Sequence, residues 1–415
     1  MRRITVSVLV GIQVLSVCFC SKAQQVMETG SQKPMPQEWI DKDTGHRIKR
    51  ISLSEGSNAS FYFHNNPFLK QKKIEGNVMV YYNTDAKNNK QLCTVNLKTL
   101  KTEQLTDNAS PKKGELLAPK HREAFYQSND SIFATSIDTK KTRLVYVFPK
   151  DIRGSITTLN ADETLLGGSF AGPEKDEIYR KYPEKSDYFN RIYDAKIPHT
   201  LFTVNLKTGE LKEIHQENTW LGHIQFSPTD PDLLMFCHEG PWHKVDRIWT
   251  YNMKSGKVKK MHTRTVENEI AGHEFFSPDG KTIWFDQQVP RSVAFYLTGT
   301  DVTTGKEKQY QIDRNEWSIH FNVSSDQKLF AGDGGDQGQV AKAEDGMWVY
   351  LFRPEGNRLK SERLVNMRHH YYRLEPNVHF SPDGKWVIFR ANFEGESQVY
   401  AVEIEKSGKK LGATY

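Results

Sequence analysis

FSPTDPDLLMF (226–236), FSPDGKTIWF (276–285) and FSPDGKWVIF (380–389) are one phrase written three times. In each, an apolar strand runs into a tight turn and a second apolar strand leaves it. Pro presets φ at the turn and the Asp-Gly pair supplies the reversal. VSSDQKLFAG (323–332) and LNADETLLGG (159–168) are weaker copies. Between these phrases lie further strand–turn–strand pieces at 94–106, 135–148, 202–215, 249–262, 296–310, 349–365 and 399–412, several with Thr-Gly or Ser-Gly at the turn. Alternating apolar and polar residues around such turns mark β-hairpins. Two hairpins make a four-stranded unit, and four-stranded units repeated about seven times are the mark of a propeller. The expectation is an all-β, seven-bladed β-propeller, its four-stranded blades set around a central channel. Residues 24–415 form a single domain, with the two chain ends pairing in one blade. No amphipathic helix of useful length is expected.

Met1 to Ala23 reads as an export signal rather than as part of the fold. Arg2 and Arg3 precede a mostly apolar run from Ile4 to Cys20, and Ser21-Lys22-Ala23 resembles a cleavage site. A lipoprotein reading through Cys18 or Cys20 is poorer, because Val17 and Phe19 are bulky where a small residue is expected. The expected location is periplasmic, with no membrane attachment beyond the signal. Removing Arg2, Arg3 and Lys22 lowers the formal charge from +6 to +3, since no acid precedes residue 24. That balance suits an anionic partner. Lys and Arg are dispersed, without the concentrated stripe that nucleic acid requires. Cys93 and Cys237 read as buried free thiols, not a disulfide framework.

The chemistry gathers just upstream of the turn phrases. LGHIQF carries His223, AGHEFF carries His273, WSIHFN carries His320, and LEPNVHF carries Glu375, Asn377 and His379. A plain propeller fills such positions with small or apolar residues. A series of His, Glu and Asn on successive inner strands instead predicts a site at one end of the channel. Two apparent motifs are excluded. HEGPWH (238–243) has one residue too many for a zinc-binding HExxH, and Gly240 and Pro241 forbid the helix that motif needs. GGSFAG (167–172) has Ala171 where a nucleophile elbow requires Gly.

FSPTDPDLLMFCHEGPWHKVDRIW, together with GHEFFSPDG, HFNVSSDQKLFAGDGGD and LEPNVHFSPDGKWVIF, resembles the oligogalacturonate lyases. These are seven-bladed propeller enzymes of pectin breakdown. The resemblance spans nearly the whole processed chain, and HEGPWHKVDRIW is its most specific part. It implies β-elimination of short galacturonate oligomers, with a divalent metal (typically manganese) and a His base. By motif the base falls on His273, the carboxylate-binding Arg on Arg247, and a metal-binding His on His320. Better-known members supply the other ligands through a Gln and a His-x-His. Here Tyr372 and Glu375-Pro376-Asn377 stand in those places. Glu375 and Asn377 offer oxygen ligands, suited to Mn²⁺, Ca²⁺ or Mg²⁺, and His370 could add a nitrogen. His64, His223, His238 and His243 are further candidates for contact with substrate.

Elimination removes the proton at C5 of a uronate and expels the oxygen at C4. Cations on the carboxylate stabilise the enolate-like intermediate, and an imidazole titrates in the range a base needs. Plainer readings stand beside these. Arg247 can be a rim ion pair to Asp246 or Glu239, His320 a core histidine, and Glu375 an acceptor for backbone amides. Two other functions remain open: a propeller lyase or glycosidase acting on another uronate-containing glycan, and a non-catalytic TolB-like binding propeller.

Overall fold

The computed structural model describes residues 25–70 and 76–407. The export-signal reading of residues 1–23 lies outside them. No helix among the described residues is long and apolar enough to cross a membrane.

The described strands form six sheets, and one of these, eight-stranded, is two four-stranded blades joined by the single pair Gln311–Arg358. Seven blades result. Blade four shows the pattern: Leu221–Phe226, Leu233–His238, Ile248–Asn252 and Lys257–Lys260 pair in order as an antiparallel meander. Blade seven takes His379–Phe380, Trp386–Ala391 and Gln398–Lys406 from the end of the chain and His46–Arg50 from its beginning. Of the expected 399–412 hairpin, the described part is one long strand, Gln398–Lys406, and residues 408–412 lie outside the described residues. The strand's outer neighbour comes from the N-terminal side, which ties the ends together as anticipated. Ser52 and Asn58 both donate to the Gln398 side chain (2.9 and 2.8 Å), sealing blade seven to blade one.

The repeated phrase works through its side chains. Ser277 Oγ donates to Asp279 (2.6 Å) and accepts from the Thr282 N–H (3.0 Å), while Gly280 takes φ 69°. Ser381, Asp383 and Trp386 repeat this (2.6 and 3.1 Å) around Gly384. Ser324, Asp326 and Leu329 do so again with Gln327 in the left-handed position. Strand faces then bury Phe236, Phe285, Phe352 and Phe389 completely between blades, each contributing about 1.5–3 kcal/mol. Cys93 and Cys237 are buried free thiols. In the GGSFAG run a Cβ on Gly168 would stand 2.0 Å from the Ser155 carbonyl, so glycine serves strand packing there.

Two features depart from the sequence reading. Helices α1 (Glu174–Lys181) and α2 (Lys185–Ala195) sit between the second and third strands of blade three. α1 buries no residue and α2 only Ile192, so neither shows the apolar stripe by which a helix is read. The other is blade one. Its inner strand is split into Ser57–Ala59 and Phe68–Lys70, both paired to Asn77–Thr84. Residues 60–67 leave the sheet and run into the channel.

Candidate active site

Strand order decides which end of the channel carries chemistry. In blades three to seven the inner strand enters at one end and turns back at the Ser-Pro-Asp-Gly phrase or its weaker copy. The loops between second and third strands therefore share the entry end. His223, His273, His320 and Asn377 each stand four residues before the turn serine. Pairing slips between Gly222 and Gln225 and between Gly272 and Phe275. His223, His273 and Asn377 have φ of 46°, 51° and 52°. A bulge with a non-glycine residue in the left-handed region turns a side chain away from the regular alternation. Such strain concentrates where side chains are used.

His273 is held by an aspartate. Its Nδ1 lies 2.7 Å from Asp286, which is buried, while the ring keeps a quarter of its side chain exposed. The carboxylate only accepts, so the proton sits on Nδ1 and the Nε2 lone pair is free. Burial works to lower the imidazole's pKa, but the Asp286 charge and hydrogen bond prevail and raise it above the usual value. His320, with ring centroid 4.9 Å from that of His273, has the same support. Its Nδ1 lies 2.8 Å from Asp333, which also accepts from the backbone N–H groups of His320 and Asn377 (2.9 and 3.2 Å). His320 Nε2 is buried without a hydrogen bond, 3.7 Å from a carboxylate oxygen of Glu375.

A carboxylate-supported histidine with an orphaned ring nitrogen is what a metal ligand requires. Together with the half-exposed Glu375 carboxylate it fits a hard divalent ion that takes its remaining ligands from water and substrate. Among the described residues no three His, Cys, Asp or Glu side chains form a ready cage. Two expected ligands do not fit. Asn377 gives its carboxamide oxygen to the Phe63 N–H (3.0 Å) and its NH₂ to the Glu375 carbonyl (3.1 Å). His370 donates from Nε2 to the Leu374 carbonyl (2.7 Å) and accepts at Nδ1 from the Asn392 N–H (3.3 Å), so no lone pair is left. Burial pushes its pKa down to about 4. Tyr372 donates to the Asp333 carbonyl (3.0 Å) and braces the loop behind His320.

Arg247 is also not the open clamp expected. It is 3% exposed, forks onto Glu239 (2.7 and 3.3 Å), and reaches Glu274 through Nε (2.6 Å). Three of its five N–H groups are thus spent. The rim-pair reading named the right partner, Glu239, but the pair is buried. Burial opposes the charge of Glu239, yet Arg247 holds that carboxyl at about 2. Glu239 also faces His223 Nε2 at 3.5 Å.

The other histidines scatter. His64 is in the channel but lines a cavity of about 800 Å³ on the turn side, with Phe226, Phe276 and Phe380; burial pushes its pKa down to about 3. His238 leaves the cluster: it faces Glu217 (3.0 Å) and stacks on Trp249 (4.6 Å), away from the inner strands. His243 lies on a short helix, Trp242–Lys244, in the loop above blade four. Over that loop packs the helical pair, with Phe189 against Trp220 (5.4 Å) and Trp242 (6.3 Å). Lys175 stands 4.9 Å over Trp220 and donates to His199 Nε2 (3.0 Å).

Sequence reasoning missed Asp286 and Asp333, which reach their histidines from the neighbouring strand of the same blade, and it missed Glu274 and Tyr62. The Tyr62 ring stands 5.1 Å from His320 and 6.3 Å from His223. Burial first, and then Glu375, keeps its phenol protonated far above the usual range.

Fold and site together define a propeller enzyme whose channel mouth holds an aspartate-supported histidine, a second supported histidine beside a carboxylate, and a buried arginine. A family model for oligogalacturonate lyase matches residues 27–408, and the chain belongs to that family. It is 27% identical over 330 residues to an oligogalacturonide lyase of Pectobacterium atrosepticum, covering 75% of this chain and 83% of that one. To an oligogalacturonate lyase of Dickeya dadantii it is 26% identical over 334 residues, with the same coverage. A solved oligogalacturonate lyase in complex with manganese superposes with a TM-score of 0.76 at 25% identity, covering 89% of this chain and 96% of that one.

Proposed function

We propose that this chain is an exported lyase that cleaves short galacturonate oligomers by β-elimination, aided by a divalent metal, manganese first among the candidates. The observation that carries the chemistry is His273: Asp286 holds its Nδ1 proton at 2.7 Å, which leaves Nε2 free to take the C5 proton. His320 Nε2 and the Glu375 carboxylate would hold the metal, with Asp333 orienting His320. When bound, the ion supplies positive charge at the substrate carboxylate and so favours the enolate-like state. Arg247, matched by two glutamates, shapes the mouth beside His223 and His273 and keeps two N–H groups for a substrate oxygen. The aromatic rim of Trp220, Phe189 and Trp242 suits sugar rings beyond the reacting one.

Manganese is supported by the solved relative that contains it. Periplasmic export is supported by Arg2, Arg3, the apolar run to Cys20 and the Ser-Lys-Ala step. The test is ultraviolet absorbance of the unsaturated product from digalacturonate and trigalacturonate, with manganese and with chelator. Absence of unsaturated product from metal-loaded protein would overturn the reading. Fractionation of cells expressing the full chain tests export, which fails if the protein stays uncleaved in the cytoplasm.

A further inference from the structure

The excursion of blade one, residues 60–67, carries one side chain that the chemistry above leaves unused. Phe61 and Phe63 are fully buried on either side of Tyr62. Phe61 packs on Tyr82 (6.0 Å), and Phe63 on Phe275 (5.8 Å) and the His320 ring (4.7 Å). The Tyr62 N–H donates to the Glu115 carboxylate, and the next N–H is held by Asn377. Tyr62 is therefore fixed at both backbone flanks while its ring remains partly exposed. Its hydroxyl has no hydrogen-bond partner among the described residues, and the side chain is only partly buried. Phe63 and His64 face the turn-side cavity, but Tyr62 does not line it. Tyr62 and His273 both pack on the ring of His320, at 5.1 and 4.9 Å.

The proposed reaction needs a donor at such a place. In a galacturonate ring the C5 hydrogen and the C4 oxygen are axial on opposite faces, so elimination is anti. A base that takes the C5 proton from one face cannot deliver it to the leaving oxygen on the other. We propose that Tyr62 is the general acid of this site, donating its hydroxyl proton to the departing C4 oxygen while His273 removes the C5 proton. This rests on the lyase reading above. The C5–H pair becomes the C4=C5 double bond, and the C4–O bond breaks. That oxygen gains the Tyr62 proton and leaves as the hydroxyl of the other product. The imidazolium then releases a proton to water and the phenolate takes one up, so the enzyme returns unchanged.

The experiment compares Tyr62→Phe with wild type on trigalacturonate and on a 4-deoxy-4-fluoro-galacturonoside, whose fluoride departs without a proton. The phenyl ring preserves packing on His320. The expected result is a kcat loss of roughly 10²–10⁴-fold on trigalacturonate, little change in KM, and near wild-type fluoride release. Equal losses on both substrates would make Tyr62 a packing residue and overturn the proposal, as would no loss on either. Wild type that eliminates neither substrate would sink the lyase reading instead. If Tyr62→Phe does not fold, solvent deuterium isotope effects on wild type decide. Slowing on trigalacturonate beyond that on the fluoride supports a protonated departure, and equal slowing refutes it.

Discussion

Asp286→Asn is the sharpest perturbation of this site, because it changes one atom and reverses a hydrogen bond. Asp286 is 3% exposed and its carboxylate stands 2.7 Å from His273 Nδ1. It can only accept, so the imidazole proton is held on Nδ1. An amide can present its NH₂ to Nδ1, which drives the proton to Nε2 and blocks the lone pair that must take the C5 proton. A positioned base is worth roughly 10²–10⁴-fold, and the same change behind the histidine of Ser-His-Asp hydrolases costs about 10⁴ in kcat. The expected outcome is a kcat loss in that range on trigalacturonate. KM should move little, because Asp286 lies behind His273 and away from substrate. Asp286→Ala should lose less, since the ring can then adopt either tautomer. Both variants should remain folded, with a stability cost of about 1–3 kcal/mol read by thermal melting. Full turnover by Asp286→Asn, or a greater loss in Asp286→Ala, would refute the reasoning.

Metal content separates ligands from bystanders: after dialysis His320→Ala and Glu375→Ala should retain less manganese than wild type, whereas Asn377→Ala and His370→Ala should retain as much. Reversal of that ranking by elemental analysis would reinstate the larger ligand set. Arg247→Ala should destabilise by about 3–5 kcal/mol, the usual cost of leaving buried partners of an ion pair unmatched, and an unchanged denaturant midpoint would contradict the buried cluster. His262, buried between Glu269 and Glu307 (2.7 Å each), has its pKa raised to about 9 by these carboxylates against the pull of burial. A folded-state pKa above the unfolded value gives stability that is full below pH ~6.5 and is lost as pH rises through about 9. The loss is about 3 kcal/mol by the usual conversion, and His262→Gln should flatten the melting temperature over that window.

Much of this molecule is legible residue by residue. The Ser-Pro-Asp-Gly phrase carries its own hydrogen bonds and its own positive-φ position, so it names its hairpin wherever it occurs. Four-stranded units repeated about seven times imply a propeller, in which each sheet buries its faces against the neighbouring blades. The position four residues before each turn serine was readable as the place where His223, His273 and His320 approach the axis.

What the tertiary structure alone decided is which of those side chains are free to act. A hydrogen bond commits a donor or a lone pair, and its partner here mostly lies on another strand or another blade. Asp286 and Asp333 free the Nε2 atoms of His273 and His320, while the backbones of Phe63, Leu374 and Asn392 consume Asn377 and His370. Tyr62 reaches the mouth because blade one breaks its inner strand for residues 60–67, a choice that depends on pairing to Asn77–Thr84 at both ends. Local sequence encodes turns and strands through contacts a few residues long. The protonation and availability of a site residue depend on neighbours tens to hundreds of positions away, and only the closed ring of blades brings them within reach.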